Sequence, residues 1–330
     1  MALKFEPACL HAATGAILLA AAAILSSCDG THHASVYTPI ESLVFADPVL
    51  GACVREQALH QGWKTSGEMT RLECTNPDGR PIRSLDGIEN LVNLSILDLA
   101  HNALSDVSAI ARLDHVTQID LTYNRIRNVD LSRVRMVMNS LNLDHNEISD
   151  ITFLSHLKRL EYLSISHNQV KNIETIAELE TLKWLNLSHN EIESAEPLTV
   201  LAELRELDLA YNRIATVDPL ANIRQLAVLR LDGNGLEQVD ALAELPVLKE
   251  LDLAENQLTD VSALSGAISL QRLNLSDNRL VDVRSLENLG AIQMLNVKGN
   301  PLECMGLEHL KTSLGADVIV ASPCTSVPGS

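Results

Sequence analysis

An asparagine returns every 22 residues, ten times without a slip, at Asn102, Asn124, Asn146, Asn168, Asn190, Asn212, Asn234, Asn256, Asn278 and Asn300. Around it one phrase is rewritten each time, first as Leu94-Ser95-Ile96-Leu97-Asp98-Leu99-Ala100-His101-Asn102-Ala103-Leu104, or L-x-x-L-x-L-x-x-N-x-L. At 330 residues two globular domains are the default expectation, but a repeat array overrides it.

The spacing inside a copy sets its local structure. In Leu97-Asp98-Leu99 alternate residues point to opposite sides, so the leucines go inward and Asp98 goes out. Stacked copies then form a parallel sheet lining a concave side. Beyond the asparagine the apolar residues change to a step of three, as in Leu104, Val107, Ile110 and Leu113. A step of three suits 3₁₀ turns or short helical pieces on the convex side. At the corner between them, backbone groups lose their sheet partners and must be satisfied. A short amide can bond its own turn and the neighbouring one, so the asparagine column is structural. Copy two is irregular, with Leu131, Val134 and Val137 one place early, which predicts a local kink on the convex side.

The pattern resembles the leucine-rich repeat family. The 22-residue length is similar to that of bacterial internalins and of certain eukaryotic phosphatase regulators. The resemblance covers roughly residues 45–324 and implies an α/β solenoid, a horseshoe with a parallel sheet inside and 3₁₀ or short helical segments outside. Asp47-Pro48 reads as a helix start. Leu50, Cys53, Val54, Ala58 and Leu59 follow as one apolar face before Gly62, as in the N-terminal caps of the internalin-like group. Leu72 and Cys74 suggest a short strand and Asn76-Pro77-Asp78-Gly79 a turn. After Asn300, Pro301-Leu302-Glu303-Cys304 resembles the opening of disulfide-closed C-terminal caps. Leu307, Leu310 and Leu314 give a helix face there, and Val318-Ile319-Val320 a last strand.

Six cysteines are placed informatively. Four flank the array and allow three pairings. A solenoid keeps its ends apart, so Cys53–Cys74 and Cys304–Cys324 are the reachable pairs. Each closes a loop of about 20 residues and contributes on the order of 3 kcal/mol, which points to an oxidising, exported location.

Residues 12–25 form an apolar run too short for a comfortable membrane span, followed by Leu25-Ser26-Ser27-Cys28. This resembles the lipobox of bacterial lipoproteins, implying cleavage before Cys28 and lipidation of its thiol. An ordinary secretory leader with a chance cysteine is the alternative. The expected organisation is a signal peptide over 1–27, a lipidated tether over 28–41, an N-terminal cap over 42–81, repeats over 82–303 and a C-terminal cap over 304–330.

A formal charge of −18 argues against nucleic acid, which needs clustered Lys and Arg. No nucleophile elbow, phosphate loop or H-E-x-x-H motif is present, so no catalytic residue, metal or cofactor is assigned. The outward positions of the concave face look free of packing duty. Four of the chain's nine aromatics stand there, Tyr123, Tyr162, Trp184 and Tyr211, beside a column containing His145, His167 and His189. Later copies turn acidic, with Glu206, Asp208, Glu250 and Asp252. Exposed aromatics at neighbouring positions are typical anchors. These residues predict a protein or peptide partner with an apolar or aromatic anchor and a basic segment. Imidazoles about 4.8 Å apart also suit zinc or pH sensing, although ligation needs converging nitrogens.

The expectation is therefore a lipid-anchored protein-binding lipoprotein of the bacterial envelope, on the periplasmic side rather than the cell surface. An internalin-like surface adhesin and an envelope-spacing lipoprotein without a specific ligand are the alternatives.

Overall fold

The computed structural model describes residues 38–76, 79–131 and 137–324. The leader, Cys28 and most of the tether lie outside these residues, as do Pro77, Asp78, Val134 and the last six residues.

Every copy contributes one three-residue strand, because only the central part of L-x-x-L-x-L alternates before the corner. The strands are β1 (Arg71–Glu73), β2 (Ile96–Asp98), β3 (Gln118–Asp120), β4 (Ser140–Asn142), β5 (Tyr162–Ser164), β6 (Trp184–Asn186), β7 (Glu206–Asp208), β8 (Val228–Arg230), β9 (Glu250–Asp252), β10 (Arg272–Asn274), β11 (Met294–Asn296) and the two-residue β12 (Ile319–Val320). They pair in chain order, all parallel, into one sheet. The middle residue of each full strand is buried, as Leu97, Leu163 and Leu229 are, and its neighbours face outward.

Five-residue 3₁₀ turns close the other side of most copies, among them Ser108–Arg112, Glu174–Glu178 and Asp240–Glu244. The step of three matches three residues per turn, so Leu104, Val107, Ile110 and Leu113 fall on one inward line and are buried. Copy two departs from the expected shift. Met138 is buried at the regular position, whereas Val137 is only half-buried, so the register has already recovered there.

All ten asparagines make the same bonds. The Asn190 Nδ2 amide lies 2.9 Å from the Ile165 carbonyl of the preceding copy, 3.0 Å from Leu187 O and 3.2 Å from Ser188 O. Its Oδ1 accepts from the Val170 N–H at 2.9 Å. Each asparagine thereby satisfies a corner in its own copy and one in the copy before.

The N-terminal cap is α1 (Pro48–Gln61), begun by Asp47 and ended at Gly62, whose φ of 75° suits a residue without Cβ. Asp47 Oδ1 accepts from Val49 N–H and Oδ2 from Arg83 N–H at 2.7 Å, tying the helix start to the lead-in of the first copy. Leu50, Cys53, Val54 and Ala58 are buried, but Leu59 is 82% exposed. At about 100° per residue Leu59 lies opposite Leu50, which removes it from the expected face. Disulfides join Cys53 to Cys74 and Cys304 to Cys324. The second fastens α2 (Cys304–Leu314), which buries Leu307 and Leu310 over the last copies.

Candidate functional site

The exposed side of the sheet carries two columns, formed by the first and third residues of each strand. In the first column Tyr162, Trp184 and Glu206 stand in direct register on β5, β6 and β7. Tyr162 is 51% exposed and Trp184 half-buried. Further along, Val228 and Met294 border a shallow pocket of about 190 Å³, with Arg230, Glu250, Asp252 and Arg272 around it. Arg272 is ion-paired with Glu250, so Glu250 is already engaged.

The column of third residues is not free of structural duty. In the ten copies from β2 to β11, eight of these residues are Asp or Asn, and each accepts the backbone N–H two positions on. Asp208 takes Ala210 N–H at 3.0 Å and Asp252 takes Ala254 N–H at 3.0 Å, as do Asp98, Asp120, Asn142, Asn186, Asn274 and Asn296 for their own copies. These are Asx turns that lead the chain off the sheet. Asp208 and Asp252, read from the sequence as binding residues, hold the backbone first. The exceptions are Ser164 and Arg230. At Ser164 the missing acceptor comes from the previous copy, since Asp144 Oδ1 accepts both Ser164 Oγ and Ser166 N–H at 2.6 Å.

Arg230 lies between Asp208 and Asp252 in register. Beside it, Asp232 is pushed up to about 6, first by burial and then by the charges of Asp252, Asp208 and Glu255. Burial likewise raises Asp208, against the pull of its backbone bond and of Arg230. The acidic zone is therefore a group of mutually repelling carboxylates, with Arg230 between Asp208 and Asp252 and Arg272 paired with Glu250.

The histidine column stands elsewhere than expected. Its residues are not on the strands but at the corner just beyond their carboxyl ends. There His101, Tyr123, His145, His167, His189, Tyr211, Glu255 and Asp277 all adopt φ between 50° and 56°, with Gly233 and Gly299 completing the series. This left-handed conformation is costly for a residue with a Cβ. The first six side chains form one continuous stack, with ring centroids 4.4, 4.0, 4.0, 3.9 and 4.5 Å apart. Adjacent planes lie within 12° of parallel. Ring nitrogen lone pairs lie in the ring planes, so these parallel imidazoles do not converge on a shared metal. No group of three His, Cys, Asp or Glu able to hold a metal occurs among the described residues. His167 is held below the ordinary histidine value, first by burial and then by His189 and His145, with Asp144 opposing.

The aromatic–histidine zone expected from the sequence is thus two bands. Tyr162 and Trp184 face out from the sheet, whereas Tyr123, His145, His167, His189 and Tyr211 run along its rim. The signal for the second band was present in the sequence: two glycines share a column otherwise filled by His, Tyr, Asp and Glu, which marks a left-handed position.

Family models described as leucine-rich repeat match residues 137–192, 224–280 and 246–302, and a second such model matches 90–111. A two-copy leucine-rich repeat model matches 180–222. No curated protein sequence matches the chain. Among solved structures, an internalin, InlF of Listeria monocytogenes, is similar at 25% identity and a TM-score of 0.73, covering 89% of this chain and 98% of that one. The functional domain of InlJ from the same organism is similar at 21% identity and a TM-score of 0.75, over 91% of this chain and 64% of that one. The ectodomain of a plant membrane receptor kinase from Arabidopsis thaliana, in complex with CASPARIAN STRIP INTEGRITY FACTOR 2, is similar at 26% identity and a TM-score of 0.60, over 69% of this chain and 30% of that one.

Proposed function

We propose that this leucine-rich repeat protein, internalin-like in fold, is a non-enzymatic binding scaffold of a bacterial envelope, anchored through a lipid on Cys28 and facing the periplasm. Its exposed sheet face takes a protein or peptide that offers an apolar or aromatic side chain to Tyr162 and Trp184 and a basic segment to the acidic copies beyond. The observation that carries this reading is the Tyr162–Trp184 pair, two large rings in register on the exposed sheet face with Tyr162 half in water. A rigid amphipathic ring loses little conformational freedom when covered, so such pairs favour partner contact. The repeat fold serves protein and peptide recognition elsewhere, as in the plant receptor complexed with its factor.

The test is crosslinking with mass spectrometry in the native host, comparing the wild-type chain with the Tyr162→Ala/Trp184→Ala double variant. The proposal expects a recurrent partner that the double variant loses while still accumulating. Equal capture by both defeats the aromatic anchor, and a null crosslinking result favours an envelope-spacing lipoprotein. Replacement of Cys28 by Ser, followed by membrane fractionation, tests the anchor separately.

The InlF similarity, which spans nearly all of that chain, supports a second reading as a surface adhesin. Protease treatment of intact cells separates the two, because it removes a displayed adhesin and spares a periplasmic protein.

A further inference from the structure

Beyond the asparagine corner, the chain runs along a flank before reaching its 3₁₀ turn. Backbone bonds fix the register there: Ala103 N–H donates to Ile82 O, Arg125 N–H to Leu104 O, and Glu147 N–H to Ile126 O. Ile82, Leu104 and Ile126 are thus equivalent, and so are the residues after them, Arg83, Ser105 and Arg127. Side chains at these positions point away from the core, and packing makes no demand for arginine. Other copies hold Ala215 or Thr259 at the same place.

Between the lead-in and copy two, this flank opens into a pit of about 540 Å³. Copy one contributes only the short Ala103 and Ser105, so the long side chains of Arg83 on one side and Arg125 and Arg127 on the other border a gap. The Arg83 and Arg127 positions are two copies apart, about 10 Å at the usual strand spacing. Arg127 is paired with Glu147 at 2.6 Å, while Arg83 and Arg125 are exposed. Ser105 and Asn128 add neutral donors. Three guanidinium groups to one carboxylate is the reverse of a chain whose formal charge is −18. Corresponding pits further along have the opposite sign. One is bordered by Asp218, Glu237 and Asp240, and another by Glu174, Glu191, Glu193 and Glu196 with a single lysine, Lys171.

We infer that the Arg83–Arg125–Arg127 pit is an anion site for a phosphate group, free or carried on a lipid headgroup. Guanidinium forks match the oxygens of a tetrahedral oxyanion two at a time, which a lone ammonium does not. The pit is wider than one phosphate, leaving room for the body that bears it or for the waters of a free ion. The inference is independent of the sheet-face reading, since no residue is shared between the two surfaces.

The experiment titrates the full-length protein with inorganic phosphate and pyrophosphate at constant ionic strength, read by calorimetry. A parallel arm, in a Cys28→Ser background so that no lipid on Cys28 holds the protein to membranes, measures retention on phosphatidylcholine vesicles with and without phosphatidylglycerol. Saturable binding is expected, weakened about ten-fold or more in R83A/R125A, and also weakened in R83K/R125K, which keeps charge but loses the fork. R213A serves as control, because Arg213 shares the Arg125 column but is paired with Glu191 at 2.9 Å, and it is expected to bind as wild type does. Saturable phosphate binding without vesicle retention assigns a soluble ligand. Retention on phosphatidylglycerol that R83A/R125A abolishes assigns a headgroup. No saturable signal in either arm, or undiminished binding by R83A/R125A with an unchanged melting profile, overturns the site.

Discussion

The Tyr211 hydroxyl donates to Glu255 Oε1 at 3.0 Å, reaching past an entire copy to do so. The residue it passes over is Gly233, where an added Cβ would lie 2.5 Å from the Tyr211 ring. Gly233 is therefore where the six-ring stack stops and its last ring bends toward the acidic copies. Its φ of 65° adds a conformational reason for glycine to the steric one.

Gly233→Ala should destabilise the fold by about 1–2 kcal/mol through the left-handed backbone alone, and should also displace Tyr211. Tyr211→Phe keeps the stack but loses the bond to Glu255. Urea unfolding followed by tyrosine absorbance separates the two effects. The account fails if G233A leaves both stability and the Tyr211 environment unchanged.

His167 lies between His145 and His189 in the stack, with ring centroids 4.0 and 3.9 Å away. Burial and those two neighbours disfavour its charged form, and Asp144 only partly compensates. A base whose folded pKa lies below its unfolded value stabilises the fold at higher pH. That contribution is lost as pH falls through the folded value. Proton NMR should show His167 titrating below the ordinary histidine midpoint, and His167→Phe should flatten the loss of stability on acidification. A midpoint at or above the ordinary value would remove the basis of this expectation.

Asp232 shifts in the opposite sense. Its carboxyl is raised from 3.8 to about 6 by burial and by Asp252, Asp208 and Glu255. The folded state thus binds the proton more tightly than the unfolded one, so stability falls as pH rises between those two values. Above about pH 6 the penalty is fully present, although solvent access moderates it. Asp232→Asn should unfold at higher urea than wild type in neutral buffer, with the difference vanishing toward pH 4. A difference that stays constant across that range would mean that Asp232 does not titrate as described.

The array itself was legible because its signals are periodic. A leucine every second residue and then every third, with one asparagine per copy, specifies strand, corner and turn before any contact is known. What escaped depends on bonds within a copy or between side chains. Asp208 and Asp252 looked free because outward direction was equated with freedom, yet their carboxylates cap Ala210 and Ala254 two residues on. The recurrence of Asp or Asn in eight copies was the available sign. Leu59 follows Ala58 in sequence but stands about 180° from Leu50 around the helix, outside the arc that Leu50, Cys53, Val54 and Ala58 bury. The ring stack needs side-chain orientation at a left-handed corner, and only Gly233 and Gly299 betray that corner in the sequence. The Arg83–Arg125–Arg127 pit mixes two columns and three copies, so reading one column at a time scattered it.

The asparagine column yields the most direct stability prediction. Asn190 serves four backbone groups at once: the carbonyls of Ile165, Leu187 and Ser188 face its amide nitrogen, and Val170 N–H faces its oxygen. Water has little access there, since the residue is 8% exposed. Asn190→Ala strips both corners of their partner and leaves buried groups unpaired, which should cost roughly 1–3 kcal/mol or more. Asn190→Asp should be worse at neutral pH, because a carboxylate placed against three carbonyl oxygens replaces donation with repulsion. Lowering the pH to protonate that carboxyl restores one donor and should recover part of the loss. Because each repeat contacts only its neighbours, hydrogen exchange should quicken first in copies four to six and reach the caps last. Chemical denaturation of both variants, paired with hydrogen exchange on N190A, checks magnitude and location together. If N190A unfolds at the wild-type midpoint, the corner bonds are replaceable by water and the column does not hold the array.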